Sequence, residues 1–205
     1  MTKKLLITLS IFALFASCNV LRRTNPATHD EGVIINGIRW ATRNVDAPGT
    51  FAETPESPGM FFQWNRRKGW SAVDEEVEGW DNSIPESTKW YAENDPCPEG
   101  WRVPTKNELR YLYDAGSVWA TSNDVSGRLF GTAPNQIFLP ASGIRDNNCG
   151  TLVAINSWGA YWSSTQNDDI MWTWASWVLF FDKDYAFVMG RSPQANGQSI
   201  RCVAK

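Results

Sequence analysis

Histidine is nearly absent: there is one in 205 residues, His29, in a polar stretch ahead of the folded part. That excludes a Ser-His-Asp or Cys-His nucleophile from the domain, and with it any histidine-ligated iron, copper or zinc centre. A positive balance is lacking too. Nineteen Lys and Arg stand against 22 Asp and Glu, a net charge of −3. Nucleic acid asks for a basic face that displaces counterions, so it is excluded as a partner. Apolar runs are scarce: there is one, and the mean hydropathy is −0.37. This is no polytopic membrane protein. Internal repeats, low-complexity tracts and an interdomain linker are also missing. No spacing among the acids singles out a glycosidase pair, and Asp74-Glu75-Glu76 with Glu78 reads as a solvated loop. The chain is therefore expected not to be an enzyme and to need no cofactor.

What is present begins at the N-terminus. Lys3 and Lys4 precede Leu5–Ala16, an apolar stretch of 12 residues interrupted only by Thr8 and Ser10. A basic start, a short apolar core and small residues before a cut describe a secretory signal, too short to span a bilayer. Phe15-Ala16-Ser17-Cys18 resembles a bacterial lipobox, in which Cys18 becomes the diacylated first residue. The alternative is an ordinary signal with a stray cysteine. Loss of residues 1–17 removes two lysines and leaves 17 basic against 22 acidic residues, a net −5. The expected layout is a signal peptide over 1–17, lipidated Cys18 and a flexible tether over 18–31, and one domain over 32–205. It places the protein on the bacterial outer membrane through a lipid anchor. Asn19-Val20-Leu21-Arg22-Arg23 leaves open which face it occupies.

Within the domain, Asn36-Gly37 between two β-rich runs marks a hairpin. Pro48 to Gly59 reads as loop, Met60–Trp64 as a short buried strand and 65–98 as irregular surface. Thr105-Lys106-Asn107-Glu108 is a capping box. Leu109, Leu112 and Tyr113 then share one helix face and Gly116 fits the stop, so one clear helix runs over about 105–115. Short strands follow at Gln136–Leu139, Ala160–Ser164, Ala175–Phe181, Tyr185–Met189 and Ser199–Val203, with a turn at Asp182-Lys183-Asp184. The expected fold class is α+β: short antiparallel strands, one helix and long irregular loops.

With Cys18 lipidated, Cys97, Cys149 and Cys202 allow at most one bridge. Cys97 to Cys202 closes a loop of about 105 residues, and pairings through Cys149 stay open.

Six motifs occur in order: Gly37-x-x-Trp40-Ala41-x-Arg43-Asn44-Val45, Gln63-Trp64-Asn65, Cys97-Pro98-x-Gly100-Trp101-Arg102-Val103-Pro104-Thr105, Leu139-Pro140-Ala141-x-Gly143-x-Arg145, Tyr161-Trp162-Ser163-Ser164-Thr165 and Ser199-x-Arg201-Cys202-Val203. Together, over about residues 33–204, they resemble the Fibrobacter succinogenes major paralogous domain family. The resemblance implies a C-type-lectin-like fold, a Cys97–Cys202 bridge, and a secreted or lipid-anchored bacterial protein whose biochemical role is largely undefined. Trp101, Trp162 and Arg201 read as fold-defining.

Binding is the expected function. Twelve tryptophans are far above the usual share, and aromatic faces stack on sugar rings. Trp172 and Trp174 project to one side if Met171–Trp174 is extended; the plainer reading packs them in the core. Asn167, Asp168 and Asp169 offer oxygens suited to calcium, without the spacing of a known loop, and the plainer reading is a solvated turn. Carbohydrate is the first candidate ligand. The alternative is a structural subunit or tip component of a surface fibre, or of an envelope or fimbrial complex. An enzyme resembling the formylglycine-generating class is the remote alternative.

Overall fold

A computed structural model of the protein describes residues 27–205. The expected signal peptide 1–17, the lipidation site Cys18 and the first part of the tether lie outside the described residues. The end of the tether is docked. The Asp30 carboxylate, 1% exposed, accepts hydrogen bonds from Thr42 N and Thr42 Oγ1 at 3.0 and 2.8 Å and pairs with Arg43. Ala27 O accepts from Phe51 N at 2.6 Å. These contacts tie residues 27–30 to the segment 42–51.

Asn36 and Gly37, both with positive φ (48° and 80°), turn the chain between β1 (Val33–Ile35) and β2 (Ile38–Trp40), as Asn-Gly dictates. β3 (Phe61–Phe62) pairs with β4 (Gly69–Trp70), and β5 (Trp101–Arg102) leads into α1 (Lys106–Asp114). Thr105 caps α1, its hydroxyl accepting from Glu108 N while the Glu108 carboxylate accepts from Thr105 N. A first meander follows: β6 (Ser117–Ser122), β7 (Val125–Thr132) and β8 (Asn135–Pro140). β9 (Ile144–Arg145) and β10 (Leu152–Val153) form a two-stranded ribbon. β11 (Gly159–Gln166), β12 (Ala175–Phe181) and β13 (Ala186–Pro193) make a second meander. β14 (Val203–Ala204) returns to complete a sheet of order β1-β2-β14-β5.

This overturns the expected α+β, C-type-lectin-like class. Strand takes 37% of the structure and helix 8%, in five small sheets whose named strands all pair antiparallel. Among the described residues the one α-helix is 106–114, and its nine residues bury just Leu109 and Leu112. A helix so short forms one plug in the core and no layer of its own.

A C-terminal segment joins the small sheets. Residues 194–203 are buried without a break. Gln198 exchanges backbone hydrogen bonds with Phe62 (2.9 and 3.0 Å) and Gly197 with Arg145 (2.8 and 3.0 Å). Ser199 is bracketed by Trp162 N and Ala160 O, Ile200 O accepts from Val45 N, and Cys202 O accepts from Ala41 N. The six motifs converge on this segment. Trp64 Nε1 donates to Ser163 O at 3.0 Å, Trp162 Nε1 to Phe62 O at 2.7 Å, and Arg201 Nε to Asn44 Oδ1 at 3.0 Å. Trp162 and Arg201 are fully buried and Trp101 nearly so. These side chains hold the fold together.

Candidate ligand-binding site

Trp172 and Trp174 lie at the surface. Met171–Trp174 is not extended: Ile170–Trp172 form a single 3-10 turn. The turn is built by the polar residues before it. Asp169 Oδ1 accepts from Met171 N at 2.9 Å, Asn167 Oδ1 accepts from Asp169 N at 3.1 Å, and Asn167 Nδ2 donates to Gly190 O on β13 at 2.6 Å. The oxygens offered for calcium thus already serve backbone donors, and Asp168 points into solvent. Among the described residues no group of three or more acidic, histidine or cysteine side chains is arranged to hold a metal. The two indoles are half-buried, with centroids 5.2 Å apart and planes at 58°, and the Arg191 guanidinium sits 4.6 Å over the Trp172 ring. Ile170 and Met171 beside them are 88% and 77% exposed.

Arg191 also leads into a groove that sequence reasoning missed. On β12 and β13 alternate side chains face opposite ways. Leu179, Phe181 and Val188 pack inward against α1, with Tyr161 in the same cluster. Val178, Phe180, Phe187 and Met189 lie on the opposite face, where Val178 is buried in a second core cluster, and with Trp158 from the β10–β11 turn they wall a groove of about 320 Å³. Trp158 meets Phe180 edge-on at 5.5 Å and Phe180 lies 5.3 Å from Phe187. The floor is polar: Ser192, Asn196 and Gln198. Gln198 is 1% exposed. Its Nε2 donates to Ser192 Oγ, and its Oε1 has no hydrogen-bond partner. A buried amide oxygen left unpaired costs about 1–3 kcal/mol, a cost that the fold carries beneath the groove.

A second cavity, about 350 Å³, opens between Trp90, Tyr91, Arg102 and Lys205. Asp95 and Arg102 there are engaged within the fold. Asp95 accepts from Cys97 N and Val103 N at 2.9 and 3.1 Å, and Arg102 forks onto Glu108. Burial pushes the Asp95 carboxyl up, against those two hydrogen bonds. The role there is structural: Asp95 orients the chain around the Cys97–Cys202 disulfide, which is formed. Cys149 is free and exposed, its Sγ 3.0 Å from Thr151 Oγ1.

Signals for the groove existed in the alternation of Val178, Phe180, Phe187 and Met189. Trp158 and Gln198 carried none, because 40 residues of chain separate them and only the fold brings them together.

Over residues 115–203 the chain is similar to a family described as a domain of unknown function (DUF8237). No curated protein and no solved structure matches it. The matched span takes in the groove, the Trp pair and Cys202, and leaves out α1 and Cys97. Among the described residues no helix is long and apolar enough to cross a membrane.

Proposed function

We propose that this chain is a binding module of the bacterial outer membrane, anchored through Cys18, and that its ligand is a carbohydrate seated in the β12–β13 groove. The observation that carries this reading is a groove with aromatic walls over a polar floor. A sugar has apolar C–H faces for Trp158 and Phe187, and hydroxyls suited to the Asn196 amide and the Arg191 guanidinium. The volume sits at the low end of small-ligand sites, roughly 300–1,000 Å³. The signal-like N-terminus and the motif resemblance to secreted and lipid-anchored proteins support the location.

A glycan array probed with the full chain, with calcium and with EDTA, tests it. Trp158→Ala and Phe187→Ala are expected to weaken every hit at least tenfold, while Trp172→Ala/Trp174→Ala weakens only longer glycans that reach past Arg191. Hits that ignore the groove variants but vanish with the Trp pair move the site to the turn. A blank array from folded protein overturns the carbohydrate reading and favours a protein partner, for which exposed Ile170 and Met171 are the first contacts to examine. In the same preparation, Cys18→Ala is expected to leave the membrane fraction, and a variant that stays there overturns the anchor.

A further inference from the structure

We infer that β6 is a docking edge and that a second copy of this chain adds to it, joining two β6-β7-β8 sheets across a two-fold axis. An edge strand exposes unpaired N–H and C=O groups, and natural proteins cover or charge such edges. The other long edges here are covered at some of their positions. On β8, Arg201 Nη2 donates to Phe138 O at 3.0 Å and Tyr161 Oη to Pro140 O at 2.9 Å. On β11, Ser199 fills the edge, and on β13 Asn167 takes the Gly190 carbonyl, with Arg191 and Pro193 following. On β6 the one such contact among the described residues is at its first residue, where Arg128 meets Ser117. The six residues of β6, Ser-Val-Trp-Ala-Thr-Ser, carry no charge and no proline, and Val118 is 63% exposed.

The hairpin fixes which groups face out. Asn123 and Asp124, with φ 46° and 63°, make a two-residue turn, so Ser122 and Val125 form its closing hydrogen-bonded pair. Pairs then alternate along the ladder. Ser122, Ala120 and Val118 bond inward to β7, which leaves Ser117, Trp119 and Thr121 facing outward. Arg128 Nη1 reaches the Ser117 carbonyl only at 3.5 Å. Among the described residues no backbone bond reaches Trp119 or Thr121 from that side.

A two-fold perpendicular to the sheet relates residues of like orientation, so the register must pair odd with odd. Centred on Trp119, it places Ser117 opposite the partner's Thr121 and Trp119 opposite the partner's Trp119, satisfying all three outward residues at once. Val118 then faces the partner's Ala120, a large residue against a small one. The edge is neutral, so doubling it brings no like charges together. Glu56, bonded to Ser122 Oγ at 2.6 Å, stands past these residues at the hairpin tip. An edge this short makes a small interface, consistent with a reversible dimer whose Kd is roughly tens to hundreds of micromolar.

Sedimentation of the full chain in mild non-ionic detergent, across that concentration range, is expected to show a monomer–dimer equilibrium. Val118→Lys, at an exposed position, is expected to weaken it more than tenfold with an unchanged melt. Monomer throughout, or a variant that dimerises like the parent, overturns the proposal. Register is read by mixing Val118→Cys with Ala120→Cys protein, both in a Cys149→Ser background. Cross-links between the two variants support the Trp119-centred register, and equal self-linking of either alone overturns it. Neither readout depends on glycan binding.

Discussion

Arg145 and Arg201 are completely buried, yet neither forms an ion pair among the described residues. Their partners are carbonyls. Arg145 donates to Ser71 O, Gly150 O and Asp74 O at 2.5–2.7 Å. Arg201 donates to Asn44 Oδ1, Ala41 O and Phe138 O at 3.0, 3.4 and 3.0 Å. Burial pushes the Arg201 guanidinium below its usual range, and the nearby Asp30 carboxylate opposes that shift without reversing it. What a guanidinium supplies in such a place is a planar fork that serves three acceptors on two chain segments at once. Arg201→Met keeps volume but strands three buried acceptors, each at about 1–3 kcal/mol. Urea denaturation is expected to show a loss of about 3 kcal/mol or more, and Arg201→Lys, a point charge without the fork, is expected to recover little of it. A loss below about 1 kcal/mol for Arg201→Met would mean that the fork is dispensable.

At the scale of elements, α1 is held at its start. Arg102 grips Glu108 with two hydrogen bonds of 2.8 and 2.5 Å, and Thr105 N adds a third of 2.7 Å. Burial works to raise the Glu108 carboxyl, but these bonds outweigh it and hold it below its ordinary 4.5. A carboxyl depressed in the fold releases its proton more readily there than in the unfolded chain. Its stabilisation is therefore complete above about pH 4.5 and fades as pH falls through the lower folded value. Glu108→Gln, which keeps the shape, is expected to be about 1–2 kcal/mol less stable at pH 7, with the gap closing toward pH 3. A gap that stays constant from pH 7 to 3 would show that Glu108 acts through packing alone. This cap was legible in the sequence, as were the Asn36-Gly37 hairpin and the Asp182 turn, whose Oδ1 accepts from Asp184 N and Tyr185 N. Each is settled within four residues of chain. The β6–β7 hairpin was not legible, since Asn123-Asp124 lacks the glycine that signals such a turn and its strands are rich in Ser, Thr and Gly. The groove was hidden for a different reason. Whether Phe180 faces core or solvent depends on α1 occupying the opposite side of β12, which no local pattern states.

The described part of the molecule is a set of small sheets, and two of them are two-stranded ribbons of the kind that is marginal alone in water. What makes them one unit is the buried run 194–203 and the bond that fixes its far end. Cys97 and Cys202 are 105 residues apart in sequence. In the chain-entropy picture, closing a loop of that length restricts the unfolded chain by roughly 4–5 kcal/mol. The bridge also acts where failure would spread. Cys202 O accepts from Ala41 N, Val203 pairs with both Trp40 and Arg102, and Ile200 O anchors Val45. Freeing that end loosens β14, and with β14 gone β5 has no strand beside it. Reduction is thus expected to lower the melting temperature by about 10–15 °C in calorimetry, at roughly 2–4 °C per kcal/mol for a domain of this size. Cys97→Ala/Cys202→Ala should melt with the reduced protein, and Cys149→Ser with the oxidised one, because Cys149 is exposed and bonds only to Thr151. A shift under about 2 °C, with three thiols titrated after reduction, would place the stability of the C-terminal segment in its backbone bonds and buried amides. In that case the disulfide would be a passenger on a segment already held by Phe62, Arg145 and Trp162.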